Sequence, residues 1–329
     1  MSFNAVKETM VRIALRFVAA IFAAGGIASA FADYPTHPVK WVVPYPPGGT
    51  TDVLARLTAQ WLSEKLGQQF IIENKPGGGN NIGTEYALRS PADGYTLLLV
   101  NPANGINATL YKKLNFNFVR DIAPVGGILR VPNVMVVNPD VPAKNVAEFI
   151  AYAKGNPGKV NMASSGNGTS VHLSGELFMA MTGAKLTHVP YRGSNPALTD
   201  MMSGQCQVMF DNMPSSLPLV KAGKLRALAV TTDQRSFALP DVPTIGETVK
   251  GYEASAWFGM GAPAKSPKDV IAVLNKGINE ALADPKMKPR FEDLGGAPMG
   301  GPPEDFGKII VAETAKWKKV VEFSGASIE

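Results

Sequence analysis

The sequence predicts an α/β fold with mostly parallel strands in about two domains, and three observations predict it. From residue 39 onward, short apolar runs alternate with helical patterns, as in strands that run parallel and are joined by helices. Glycines stand where the helices should end, at Gly67, Gly155, Gly183, Gly204 and Gly223, a position that favours a left-handed residue. About 297 of the 329 residues remain after an N-terminal export segment, too many for one small core and right for two domains.

That segment, residues 1–32, reads as a cleavable signal peptide. Lys7, Arg12 and Arg16 supply a positive start, an apolar stretch runs from Phe17 to about Ile27, and small residues lead to cleavage after Ala32. The stretch is shorter than the roughly 20 residues of a spanning helix, so an exported, soluble product is expected. Strands are expected at 39–44, 69–73, 95–100, 133–137, 159–163, 186–190, 207–211 and 225–231, each a short apolar run between turn residues. Helices are expected between them. The first, over 51–66, carries Val53, Leu54, Leu57, Trp61, Leu62 and Leu66 in an amphipathic pattern. The others span 81–89, 145–154, 171–182, 195–203 and 216–222.

The last third changes character. Ser266-Pro267 is a capping residue followed by a proline suited to the first helical position, and predicts a helix over 267–283. A further helix, about 303–322, has Lys316, Lys318 and Lys319 near its end, where the helix dipole is negative. A tail of helices without a new strand series is expected to pack back on the first domain. The expected organisation is therefore a discontinuous domain, 33–130 plus 255–329, with 131–254 inserted.

Composition excludes several classes of function. Without residues 1–32 the formal net charge falls from +5 to +3, and no block of like charges offers nucleic acid a footprint. The single Cys206 rules out an internal disulfide or a CxxC site. His37, His172 and His188 lack metal-ligand spacing, no Walker lysine follows the glycine run at 76–83, and there is no GxSxG elbow. No cofactor or metal is expected.

The functional signal lies in the turns. Pro44-Tyr45-Pro46-Pro47-Gly48-Gly49-Thr50-Thr51-Asp52 joins a strand to a helix start. Such a junction points unpaired N–H groups and the positive end of a dipole at one spot, which suits an anion. Gly48 and Gly49 allow close approach, and Thr50 or Thr51 can cap the helix or offer a hydroxyl. The same unit recurs at Ser164-Ser165-Gly166-Asn167-Gly168-Thr169 before His172, and at Tyr191-Arg192-Gly193-Ser194-Asn195-Pro196. Asn101-Pro102-Ala103-Asn104 is a fourth candidate. In a parallel sheet these turns share the carboxyl edge where ligands bind, and two domains can bring them face to face. Arg192 can pair a carboxylate or face solvent, and Asp211 can accept from a ligand or cap a helix. His172 can serve the site or cap and pack, and Trp257 and Phe258 can wall a cleft or fill a core. An exported hydrolase-like enzyme using Ser165 and His172, with Glu176 or Asp211, is the alternative reading.

Along nearly all of the chain after residue 32 the sequence resembles the Bug family, periplasmic solute-binding components of tripartite tricarboxylate transporters. The resemblance rests on residues 44–52, Glu73-Asn74-Lys75-Pro76-Gly77-Gly78-Gly79, Asp93-Gly94-Tyr95-Thr96-Leu97-Leu98, Ser165-Gly166-Asn167-Gly168-Thr169 with His172-Leu173, and Val189-Pro190-Tyr191-Arg192-Gly193. Lys224–Val230 and Pro240-Asp241-Val242-Pro243-Thr244 extend it. Asn107-Ala108-Thr109-Leu110-Tyr111 departs from the family's Asn-Pro-x-Leu-Tyr, and Asn101-Pro102 replaces common small hydroxyl residues.

The resemblance implies a two-domain, type II Venus-flytrap periplasmic binding protein; with no catalytic set in the sequence, a monomeric receptor and not an enzyme is expected. A ligand would lie in the interdomain cleft, its carboxylate held by the turns at 45–51 and 164–169 through N–H groups, hydroxyls and waters. From the turns and the resemblance together, the expected ligand set is Tyr45, Pro47, Gly48, Gly49, Thr50, Thr51, Asn101, Ser164, Ser165, Gly166, Gly168, Thr169, His172, Tyr191, Arg192 and Asp211. The implied partners are a dicarboxylate, tricarboxylate, aromatic acid or amino acid, and a membrane permease.

Overall fold

A computed structural model describes residues 34–328; the expected signal peptide lies outside them. Strands β1 (Val39–Val43), β2 (Phe70–Asn74) and β3 (Thr96–Val100) pair in parallel with β1 in the middle. Helices α1 (Thr50–Leu66) and α2 (Asn81–Leu88) supply the crossovers, and α1 stops at Gly67, whose φ of 73° is left-handed. Helix α3 (Pro102–Leu110) follows β3, and the single turn α4 (Phe118–Asp121) leads into the long strand β4 (Ile122–Val137).

The second half repeats the theme. Strands β5 (Asn161–Ser164), β6 (Thr187–Pro190) and β7 (Val208–Asn212) run parallel, and β8 (Arg226–Val230) lies beyond them along the chain. Helices α5 (Val146–Gly155), α6 (Ser170–Thr182), α7 (Ser194–Met202), α8 (Met213–Lys221) and α9 (Ile245–Thr248) connect them. The chain then returns through β9 (Ser255–Pro263), α10 (Lys268–Ala283), α11 (Met287–Glu292), the short β10 (Ala297–Pro298) and α12 (Pro303–Ser324).

Strand β4 ties the halves together. Residues 122–132 pair antiparallel with β9, which pairs in turn with β3, whereas 133–137 pair antiparallel with β7 and β8. Only 133–137 was expected as a strand, and β9 was not expected at all. Pro124, Gly126, Gly127 and Pro132 conceal the first part of β4, because proline and glycine ordinarily mark strand ends. Register shifts at Pro124/Gly126 and Gly127/Leu129 absorb them. Helix α10 begins at Lys268, one residue later than the Ser266-Pro267 signal predicts, and Ser266 Oγ caps nothing.

Burial explains the arrangement. Val42, Leu98, Trp257, Phe306 and Ile310 form one cluster, with the Trp257 and Phe306 rings edge to face at 5.9 Å. Phe149, Phe178, Phe210, Tyr252 and Trp317 anchor a second. Trp317 on α12 therefore carries the C-terminal helix into the core of the 131–254 half. Helix α12 also packs along α3. No helix among the described residues is long and apolar enough to cross a membrane.

Candidate functional site

Five helices begin at one cleft. Its walls are Tyr45, Pro46, Pro47, Gly49, Thr50 and Thr51 before and within α1, Asn101 and Pro102 at α3, and Ser165, Thr169 and Ser170 at α6. Gly193, Ser194, Asn195 and Pro196 at α7, Asn212 at α8, and Phe258 from β9 complete it. It holds about 490 Å³ of empty space, counting its open side. No Asp, Glu, Lys, Arg or His lines it. The starts of α1, α7 and α8 have no side-chain cap on the cap residue, so apart from Thr50, whose N–H goes to Ser215, and Pro214, which has none, no cap holds their leading N–H groups. Positive field without a fixed cation suits a small anion.

The first turn is braced from behind. The Asp52 carboxylate accepts from Gly48 N–H, Asn74 Nδ2 and Arg56 Nε, each at 2.9 Å. Burial works to raise its pKa, but the hydrogen bonds from Arg56, Asn74 and Gly48 prevail and hold it below its ordinary value. The Arg56 pair offsets a negative charge that would otherwise oppose an anion at the same helix start. Tyr45 OH donates to Asn101 Oδ1 at 3.4 Å and accepts from Asn80 Nδ2 at 3.5 Å. Burial pushes its phenol up to about 12.

The halves touch directly across the cleft. Thr50 N–H donates to Ser215 Oγ at 3.1 Å, and the two hydroxyls lie 2.6 Å apart. Ser215→Ala is expected to weaken this closure by about 1 kcal/mol. That corresponds to about fivefold faster amide exchange at Thr50, measurable by hydrogen exchange; an unchanged rate would mean the bond does not hold the cleft shut.

Behind the second turn lies a buried polar stack. His172 Nδ1 accepts from Gly168 N–H at 3.3 Å and its Nε2 faces Glu176 at 3.3 Å. Its ring stacks on His188 at 4.0 Å, and His188 Nε2 meets Ser164 Oγ at 2.6 Å. Burial first, and then the neighbouring His172, push His188 down to about 3. Asp211 is fully buried and accepts from Ser194 Oγ at 2.7 Å. Burial pushes its carboxyl up to about 7 against the Ser194 and Asn212 hydrogen bonds.

Of the expected ligand residues, Tyr45, Pro47, Gly49, Thr50, Thr51, Asn101, Ser165 and Thr169 come together in the cleft. Gly48 lies at the same turn with its N–H engaged by Asp52. Gly166, Tyr191 and Arg192 line an adjoining hollow with Gly77, Gly78, Gly79 and Asn167, and Tyr191 OH turns away to Asp200 at 2.6 Å. Ser164, Gly168, His172 and Asp211 line neither hollow. They support the turns from behind. Nothing joins Ser165 to His172, whose two ring nitrogens face Gly168 and Glu176, so the hydrolase pair does not form. Sequence reasoning missed Ser215 and Asn212. The strand–turn–helix unit at Asp211-Asn212-Met213-Pro214 is a further copy of the pattern and could have flagged the second of them.

A family profile described as "Tripartite tricarboxylate transporter family receptor" matches residues 54–325. Protein BugT of Bordetella pertussis is 38% identical over 315 residues, covering 94% of this chain and 96% of the relative. The structure of R. palustris Rpa4515 with adipate superposes with a TM-score of 0.87 at 41% identity, covering 89% of this chain and 98% of the other. MatC (Rpa3494) from Rhodopseudomonas palustris with bound malate gives a TM-score of 0.83 at 29% identity, covering 88% of this chain and 100% of the other.

Proposed function

The chain belongs to the tripartite tricarboxylate transporter receptor family, and from that premise we propose that it captures a small carboxylated metabolite in this cleft and delivers it to the transporter's permease. It is a binding protein, not an enzyme. The observation that carries the ligand class is the meeting of five helix starts in a cleft whose lining has no charged side chain. A carboxylate gains charge-assisted hydrogen bonds there from N–H groups and hydroxyls. Relatives solved with adipate and with malate support the same class.

Export by a signal peptide at 1–32 would place the mature monomer in the periplasm. Domain 33–130 plus 255–329 and domain 131–254 would open and close about the two places where strands pass between halves, near Pro132–Asn133 of β4 and Ala254–Ser255 before β9. Gly166, Tyr191 and Arg192 at the adjoining hollow would meet parts of a ligand that reach beyond the carboxylate.

The test is a thermal-shift and calorimetric screen of dicarboxylates, tricarboxylates, aromatic acids and amino acids, starting with adipate and malate. A ligand at 100 times its Kd is expected to add about 2.7 kcal/mol to stability, a rise of several degrees in Tm. If no anionic metabolite raises Tm and none copurifies, the reading is wrong.

A further inference from the structure

Asn101 lines the cleft and carries a buried hydrogen-bond donor that no protein atom uses. The side chain is 2% exposed, lines the cleft, and its Nδ2 has no partner among the described residues. Its orientation is fixed, because Oδ1 accepts from Ala103 N–H at 3.1 Å and from Tyr45 OH at 3.4 Å. Asn101 N–H in turn donates to Asn104 Oδ1 at 2.9 Å, which completes a capping box at the start of α3. Rotating the amide would set an NH₂ group against the Ala103 N–H, a donor with no lone pair to offer. The NH₂ therefore stays on the side away from the helix cap, and a buried donor left without an acceptor is costly.

Resting on the receptor reading above, we propose that Asn101 Nδ2 is the specificity-determining donor that reads a second acceptor on the ligand. A carboxylate or carbonyl oxygen fits it; an ammonium group at that position would leave two donors facing each other. The chemical class is then a two-ended acceptor such as an α,ω-dicarboxylate or an oxo acid. A plain monocarboxylate or an ω-amino acid of the same length is disfavoured. Phe258 in the lining gives the carbon chain between the two ends an apolar surface.

The test compares hexanoate, adipate and ε-aminocaproate by titration calorimetry on the wild type, Asn101→Asp and Asn101→Ala. Asn101→Asp keeps the acceptor that caps α3 and removes the donor, so the fold survives a merely structural role; circular dichroism melts without ligand check this. The wild type is expected to prefer adipate to hexanoate and to ε-aminocaproate by about tenfold or more. Asn101→Ala should bring adipate to within about threefold of hexanoate, and Asn101→Asp should place ε-aminocaproate above adipate. Binding with the same ratios in all three proteins overturns the role of Asn101 and leaves the receptor reading intact. Failure of the wild type to bind any of the three, or any acid in the wider screen, overturns both.

Discussion

Gly168→Ala is expected to weaken ligand capture by up to about 100-fold while leaving a folded protein. Gly168 has φ +74°, and a Cβ there would lie 2.0 Å from Asn107 Oδ1 and 3.1 Å from Leu110 Cδ2. Asn107 cannot simply swing aside. Its Nδ2 donates to Gly79 O at 2.7 Å and to Asn81 Oδ1 at 2.9 Å. The added methyl therefore pushes the second turn away from α3, on the opposite side of the cleft. Left-handed backbone at alanine costs about 1–2 kcal/mol, and overpacking adds about 1–3 kcal/mol. The backbone strain burdens the open and closed forms alike, so only the overpacking opposes closure, and at about 2–3 kcal/mol it weakens binding by about 30- to 100-fold. Gly223→Ala is the control. Its φ is +67° but nothing lies within 4 Å of the added Cβ, so it carries the backbone strain without the clash. Calorimetry on both variants decides the matter: equal, small losses would show that the contact between Gly168 and Asn107 does not govern closure.

The second large effect is on stability against pH, where two buried groups act in opposite directions. His188 falls from an ordinary 6.5 to about 3 in the folded protein. Its contribution is present above pH 6.5 and is lost as pH falls toward 3, because the unfolded chain binds the proton first. The full swing is at most about 5 kcal/mol, and the partly exposed ring recovers some of it. Asp211 runs the other way, from 3.8 up to about 7. Here the folded protein binds the proton first, so a cost present above pH 7 is relieved as pH falls toward 3.8, by about 4 kcal/mol in full.

The windows overlap between about pH 4 and 6.5 and partly cancel. Replacing one group should expose the other: Asp211→Asn is expected to make the protein lose stability with acid more steeply than the wild type, and His188→Gln less steeply. Urea unfolding of each protein at pH 7.5 and pH 4.5 measures the change within a chain, so any pH-independent cost of the substitution drops out. The same change in all three would sink the assignment of both groups.

The sequence by itself determined the repeated strand–glycine–helix units, their order, and the anion-ready turns at 45–51, 101–102 and 164–169. These are local properties. Apolar spacing, capping residues and left-handed glycines act within a few residues, and the turns form the same way whatever packs against them. Only the tertiary structure decided which turns meet. Ser215 reaches Thr50 across 165 positions of sequence, and no local pattern marks such a partner. It also carried β4 and β9 through Pro124, Gly126, Gly127 and Pro132, because pairing along a buried central ladder outweighs the local penalty of those residues. It moved His172 and Asp211 behind the turns, since a buried polar side chain goes where a hydrogen-bond partner exists, at Gly168 and Ser194. Chemistry readable over a few residues was legible in the chain; the pairing of distant residues required the fold, because burial and hydrogen-bond satisfaction are settled only when the whole chain packs.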